Sequence, residues 1–311
     1  MDCTLRRTYD TAALLRDHPP RLRHPHKQLV FGLACPPGAH HAGTIAVTRW
    51  RGDELPGLCE LAATELVCER GYYQYDGRAG VWHVNFADPQ LFYAYGGALL
   101  AQDELQALEH PALGAIREAL LAEGDPATTV ADVPTPVLVA GVERRCALDT
   151  SRGLYGNAFA RAPEAEIRAA LTVLDPPPRS NLIAIAAPGY GRGPYTMEQL
   201  VTVLVTAYTG FAAARHETAG APVEIRTGFW GCGAFGGNRR AMTLLQLLAA
   251  RLAGVDRLRF YAFDDRGHAN FRAGTADLDR VLAGGTAGEP VAEVIERITQ
   301  LGYEWGISDG N

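Results

Sequence analysis

"TGFWGCGAFGGNRR", Thr227 to Arg240, decides how the rest of the chain is read. Its first eleven residues carry no charge and crowd glycines against rings. The apolar run "PVEIRTGFW" leading into it predicts a strand, and "NRRAMTLLQLLAARLAG" beyond it predicts a helix. A glycine-rich turn there lets backbone amides approach an anion at the positive end of the helix dipole. Gly231, Gly233 and Gly236 also spell GxGxxG, the pattern of dinucleotide-dependent oxidoreductases. That reading is the weaker one, because the motif lies in the last third of the chain and Trp230 and Phe235 would obstruct a dinucleotide pressed to the turn. The plain structural alternative is a tight turn whose aromatics belong to the core.

The flanking pattern alternates strands with helices. Strands are expected at "VWHVNFA", "TPVLVAGV", "NLIAIAAPGYG", "PVEIRTGFW" and "RLRFYAFDD". "TELVCER" reads as a helix end, followed by two strands about an Asp76-Gly77 turn. Helices are expected at Leu99–His110, "PALGAIREALLAEG", "PEAEIRAALTVL", Met197–Arg215, after the glycine loop, and at "GEPVAEVIERITQLG". The result is an α/β fold with a mixed, largely parallel sheet covered on both faces. Residues 1–54 read as an N-terminal arm and accessory segment, the first 27 loosely attached, and 55–311 as the main domain.

Composition narrows the function classes. The chain has 311 residues, 47% hydrophobic and 21% charged, with a net charge of -6, which disfavours sequence-independent grip on nucleic acid. The run "RLRHPHK" reads as solvated. Six cysteines without zinc-like spacing, and histidines without ligand-like spacing, point to no metal and to reduced thiols. The charged N-terminus and the lack of a long apolar run predict a cytoplasmic protein with no membrane span.

A second stretch, "VNFADPQLFYAYGGALLAQDELQALEHP" (Val84–Pro111), runs from a strand through a loop into a helix bearing Gln102, Asp103 and Glu104. Adjacent helical positions diverge by about 100°, so Asp103 and Glu104 do not form a facing dyad. Glu104, with Leu100 and Leu108 four residues to either side, sits on an apolar stripe where desolvation raises a carboxyl pKa toward that of a general acid. The ordinary alternative is an acid that complements the helix dipole.

Together the two stretches resemble the poly(ADP-ribose) glycohydrolases, a branch of the macrodomain fold. "TGFWGCGAFGG" is similar to the family's diphosphate loop, and "VNFAD" followed by Gln102-Asp103-Glu104 looks like an altered form of its "VDFAN" to "QEE". The resemblance spans roughly residues 55 to 300 and implies a three-layer α/β/α macrodomain-like fold. It also implies Glu104 as the catalytic acid/base with Asp103 as its supporting neighbour, no cofactor, and an ADP-ribose-type ligand or ADP-ribosylated substrate. Ligand contacts would come from Gln102, Asn85, Asp88, Thr227, Gly231, Cys232, Gly233, Ala234, Phe235, Gly236 and Gly237. Phe263 would lie near the adenine and Tyr155 over the ligand. The family's glycine triplet is replaced by Phe92-Tyr93-Ala94, which would narrow the site. The competing expectation is a binding module that keeps the pocket without the chemistry.

Overall fold

A computed structural model describes residues 1–52 and 54–310. Eight strands form the main sheet: β1 (Asp2–Asp10), β2 (Thr44–Arg51), β3 (Glu65–Glu69), β4 (Val81–Ala87), β5 (Val137–Glu143), β6 (Arg179–Ala186), β7 (Glu224–Gly228) and β8 (Arg257–Tyr261). Their order is β1-β2-β5-β6-β4-β7-β8-β3. The run from β6 to β3 is parallel, and β1, β2 and β5 extend it with antiparallel pairings. This is the expected mixed, mostly parallel sheet. It does not divide into the two equivalent halves of a dinucleotide-binding fold, which removes the structural support for the oxidoreductase reading.

Strand β6 shows why the sheet is covered on both sides. Ile183 and Ile185 enter one core, with Trp82 and Val84 and the helices Met197–Glu217, Arg239–Ala253 and Val291–Thr299. The alternate residues Leu182 and Ala184 enter another, with Ile45, Val139 and the helices Thr11–Asp17 and Ala112–Ala122. Successive residues of one strand therefore feed opposite layers, and a near-continuous apolar strand is the consequence.

Two expectations need correction. The first 27 residues are not a loose arm: β1 pairs with β2 along its length, β2 pairs with β5, and the expected boundary near residue 54 coincides with no break in the sheet. The helix Pro25–Ala34 follows, with Val30 and Ala34 buried against Leu100 and Leu108. "ELVCE" is not a helix end but the edge strand β3, and no strand precedes β4 around Asp76-Gly77. The 19-residue helix Asp265–Ala283 was also not anticipated.

Candidate active site

Strands β4 and β7 are parallel neighbours, so the loops leaving their carboxyl ends emerge on one side of the sheet. One loop is Asp88–Ala101, entering the helix Gln102–Glu109; the other is Phe229–Asn238, entering Arg239–Ala253. Between them lies a cavity of about 470 Å³, within the range of small-molecule sites. Asp88, Gln102, Asp103, Glu104 and Tyr155 line it from one side, and Trp230, Gly231, Gly233, Ala234 and Phe235 from the other.

Hydrogen bonds fix the acid helix to β4. Gln102 accepts from the Phe86 amide at 2.7 Å and donates to the Val84 carbonyl at 3.0 Å, so its amide is spent on aligning strand and helix. Asn85 is fully buried and donates to Asp103 Oδ1 at 3.0 Å and to Gln106 Oε1 at 2.9 Å. Glu104 Oε2 accepts from the Ala101 amide at 2.9 Å, capping its own helix. The two acids thus point to different partners, as adjacent helical positions require.

Both carboxyls are buried, Asp103 at 6% and Glu104 at 4% exposure. Burial is the largest cause holding the Asp103 pKa well above the usual carboxylate range, with the Glu104 charge next. Burial also raises Glu104, against the lowering influence of the Lys27 ammonium and of backbone amides. A carboxyl whose pKa is raised holds its proton to higher pH and is the better equipped to deliver it.

The glycine loop is built from its own main chain. Gly237 N–H donates to the Gly231 carbonyl at 2.8 Å and Gly236 N–H to that of Gly233 at 3.0 Å, with φ of +72° at both Gly231 and Gly236. A Cβ on Gly231 would lie 2.6 Å from that of Ala187, so sterics as well as dihedral require glycine. Trp230 is buried in the cavity wall, its indole N–H donating to Ile185 O at 3.0 Å, and Phe235 packs against Tyr190 with centroids 5.5 Å apart. The rings frame the hollow and do not fill it.

Several expected contact residues stand away from the cavity. Thr227 is buried and bonds Gln246 at 2.5 Å, Cys232 Sγ bonds the Trp230 carbonyl at 3.6 Å, and Gly236 and Gly237 close the turn from behind. Asn85 supports Asp103 from within the core. Phe263, 54% exposed with φ of +68°, packs its ring against Tyr72 outside the lining. Tyr155 does reach the mouth, because the backbones of Leu100 and Gly156 pair with each other beside the acid helix. In place of the glycine triplet, Phe92 takes φ of +52° and turns into the core, leaving only Tyr93 and Ala94 on the cavity wall. The expected narrowing by two rings is narrowing by one.

Two features were missed in the sequence. Ser308 and Gly310 also line the cavity. They belong to a strap anchored where Trp305 stacks on Tyr195, centroids 4.2 Å apart and planes 9° apart. The strap crosses the glycine loop so closely that a Cβ on Gly236 would lie 3.1 Å from Ser308 N, and Asp309 N–H reaches the Gly233 carbonyl at 3.4 Å. The other feature is Lys27, fully buried in the helix Pro25–Ala34, with Nζ donating to the Tyr95 carbonyl at 2.8 Å. "RLRHPHK" had no pattern separating this lysine from its solvated neighbours.

The fold and site define a macrodomain-type α/β/α protein. Residues 157–270 match the family described as poly(ADP-ribose) glycohydrolase (PARG), macro domain fold, a segment that contains the glycine loop but not the acid helix. The likeness to that family thus covers the glycine-loop side of the cavity. Similar solved structures include the glycohydrolase of Thermomonospora curvata bound to the inhibitor ADP-HPD, 17% identical over 84% of this chain and 95% of that one, with a TM-score of 0.48. The Deinococcus radiodurans enzyme in complex with ADP-ribose is 14% identical over 86% and 97%, with a TM-score of 0.44. Among the described residues no helix is long and apolar enough to cross a membrane.

Proposed function

We propose that the protein binds an ADP-ribose-type ligand in this cavity and hydrolyses the bond at its ribose anomeric carbon. The observation that carries the reading is the meeting, in one hollow, of a buried carboxyl pair from one loop and the glycine turn from the next. Main-chain amides around Gly231–Phe235 would receive the diphosphate. Gly231, Gly233, Ala234 and Phe235 are the contacts that the geometry favours on that side, with Asp88 and Tyr155 on the other.

The step uses one carboxyl twice. Glu104 in its acid form protonates the departing oxygen as the carbon–oxygen bond breaks, and the ribose takes on oxocarbenium character beside the diphosphate. The resulting carboxylate removes a proton from water as its oxygen attacks the anomeric carbon, which restores the acid. An N-linked leaving group would take the proton in the same way.

Calorimetry with ADP-ribose, combined with release of ADP-ribose from modified protein, tests this. The Glu104→Gln variant should keep its affinity within a few-fold while release falls by about 10²- to 10⁴-fold, the usual scale of a lost acid/base group. Binding with no release by the wild type would favour the second reading, a binding module. That reading draws support from Tyr93, 56% exposed where the family has glycine, and from the strap laid across the loop. Undiminished release in the variant would show the wrong acid was chosen.

A further inference from the structure

Of the 29 lysine and arginine residues in the chain, only Lys27 is a lysine. Arginine serves the surface ion pairs, such as Arg6 with Glu217, Arg168 with Glu164 and Arg257 with Glu65. The one amine is fully buried, on a helix that packs with the acid helix through Val30, Ala34, Leu100 and Leu108.

The charged residues lining the nearby cavity are all acids. The described residues lining the cavity include Asp88, Asp103 and Glu104 but neither lysine nor arginine. Arg239 and Arg240, which follow the glycine loop, are directed elsewhere: Arg239 lies over the Phe229 ring at 5.0 Å and Arg240 pairs with Asp277 at 2.6 Å. Two neighbouring buried carboxyls resist joint ionisation unless a positive charge lies near them, and for both Asp103 and Glu104 the lowering cation is Lys27.

We propose that Lys27 is a positioning residue for the acid pair, a fixed internal cation that sets the pH at which Glu104 exchanges its proton and ties down the Tyr95 carbonyl of the adjoining loop. The proposal rests on the reading of Glu104 as the acid/base. An arginine would be charged at every accessible pH and would need room for a planar fork, whereas an amine is compact and titratable. Burial brings the Lys27 pKa down from the ordinary lysine range to about 8, with Glu104 and Asp103 holding it up and Arg23 pressing it lower. Asp88 adds a further negative charge that raises both acids. Lys27 is therefore mostly charged at neutral pH and loses its proton through a window in which other lysines keep theirs.

A single lysine makes the test unusually direct. Protein grown with lysine carrying ¹³C at Cε shows one side-chain resonance, and its shift with pH reads the titration of this amine alone. The expected midpoint is near 8, moving lower in whichever of Glu104→Gln and Asp103→Asn removes the carboxylate that is ionised beside the ammonium. In activity profiles, Lys27→Met should move the basic limb, where the acid form of Glu104 is lost, to higher pH, and Lys27→Arg should move it back. A wild-type midpoint in the ordinary lysine range, or a midpoint unmoved in both acid variants, overturns the proposal. The resonance needs no turnover, so it decides about Lys27 even if the protein hydrolyses nothing, and it stands if Lys27→Met fails to fold.

Discussion

At the scale of single residues the site is a set of buried charges in tension. Asp103 holds its proton in the folded protein at pH values where an unfolded chain would release it. Between those two pKa values the folded state binds more protons than the unfolded state, so this group's contribution to stability falls as pH rises through the window. Asp103→Asn should therefore stabilise the protein, and by more at pH 8 than at pH 4, because an amide oxygen can still accept from Asn85. Urea melts at the two pH values check this; a variant less stable than wild type at pH 8 would mean that the charge is compensated better than the geometry indicates. Glu104 was legible from sequence because Leu100 and Leu108 marked its stripe as apolar, and both are buried. Lys27 was not legible: a single basic residue carries no periodicity, and it lies 76 residues before Asp103, so only the fold brings its helix against the acid helix.

At the scale of elements, function follows from two loops leaving adjacent parallel strands, and this much the sequence patterns of β4 and β7 conveyed. The strap near residues 306–310 was hidden because its glycines and polar residues resemble any mobile tail, whereas the structure uses Gly306 for close approach to the Gly236 and Gly237 carbonyls. Its Asp309 carboxylate would come within 3.3 Å of a Cβ built on Gly233, on the loop proposed to receive a diphosphate. Like charges so placed repel, so Asp309→Asn should tighten ADP-ribose binding by roughly threefold, the scale of one exposed charge pair, with the gain shrinking as salt is added. Calorimetry at two ionic strengths reads it, and unchanged affinity at low salt would remove Asp309 from the subsite. The helix Asp265–Ala283 escaped notice for a steric reason: Gly267 and Gly274 read as breakers, yet a Cβ on Gly274 would lie 2.8 Å from Arg240 O, so the glycine is what lets two helices meet.

At the scale of the whole molecule, the first fifty residues are structural participants in the sheet and in the site. Edge strand β1 gave little signal because most of its residues face solvent and only Leu5 is buried; an edge strand with one occupied face lacks the apolar run of a central one. Ile45 in β2 is fully buried among Val139 and Leu182. Ile45→Ala should lower global stability by about 2–5 kcal/mol, with tryptophan fluorescence and far-ultraviolet dichroism losing structure in one coincident transition. An early, separate transition would restore the detachable arm. The central claim joins both halves of the cavity, and a crystal structure of the Glu104→Gln protein with ADP-ribose tests it most directly. The account predicts the diphosphate against the amides of Gly231 to Phe235 and the anomeric carbon within reach of the side chain at position 104. Nucleotide found outside this hollow, or seated in it with its ribose turned away from the acid helix, would contradict the account.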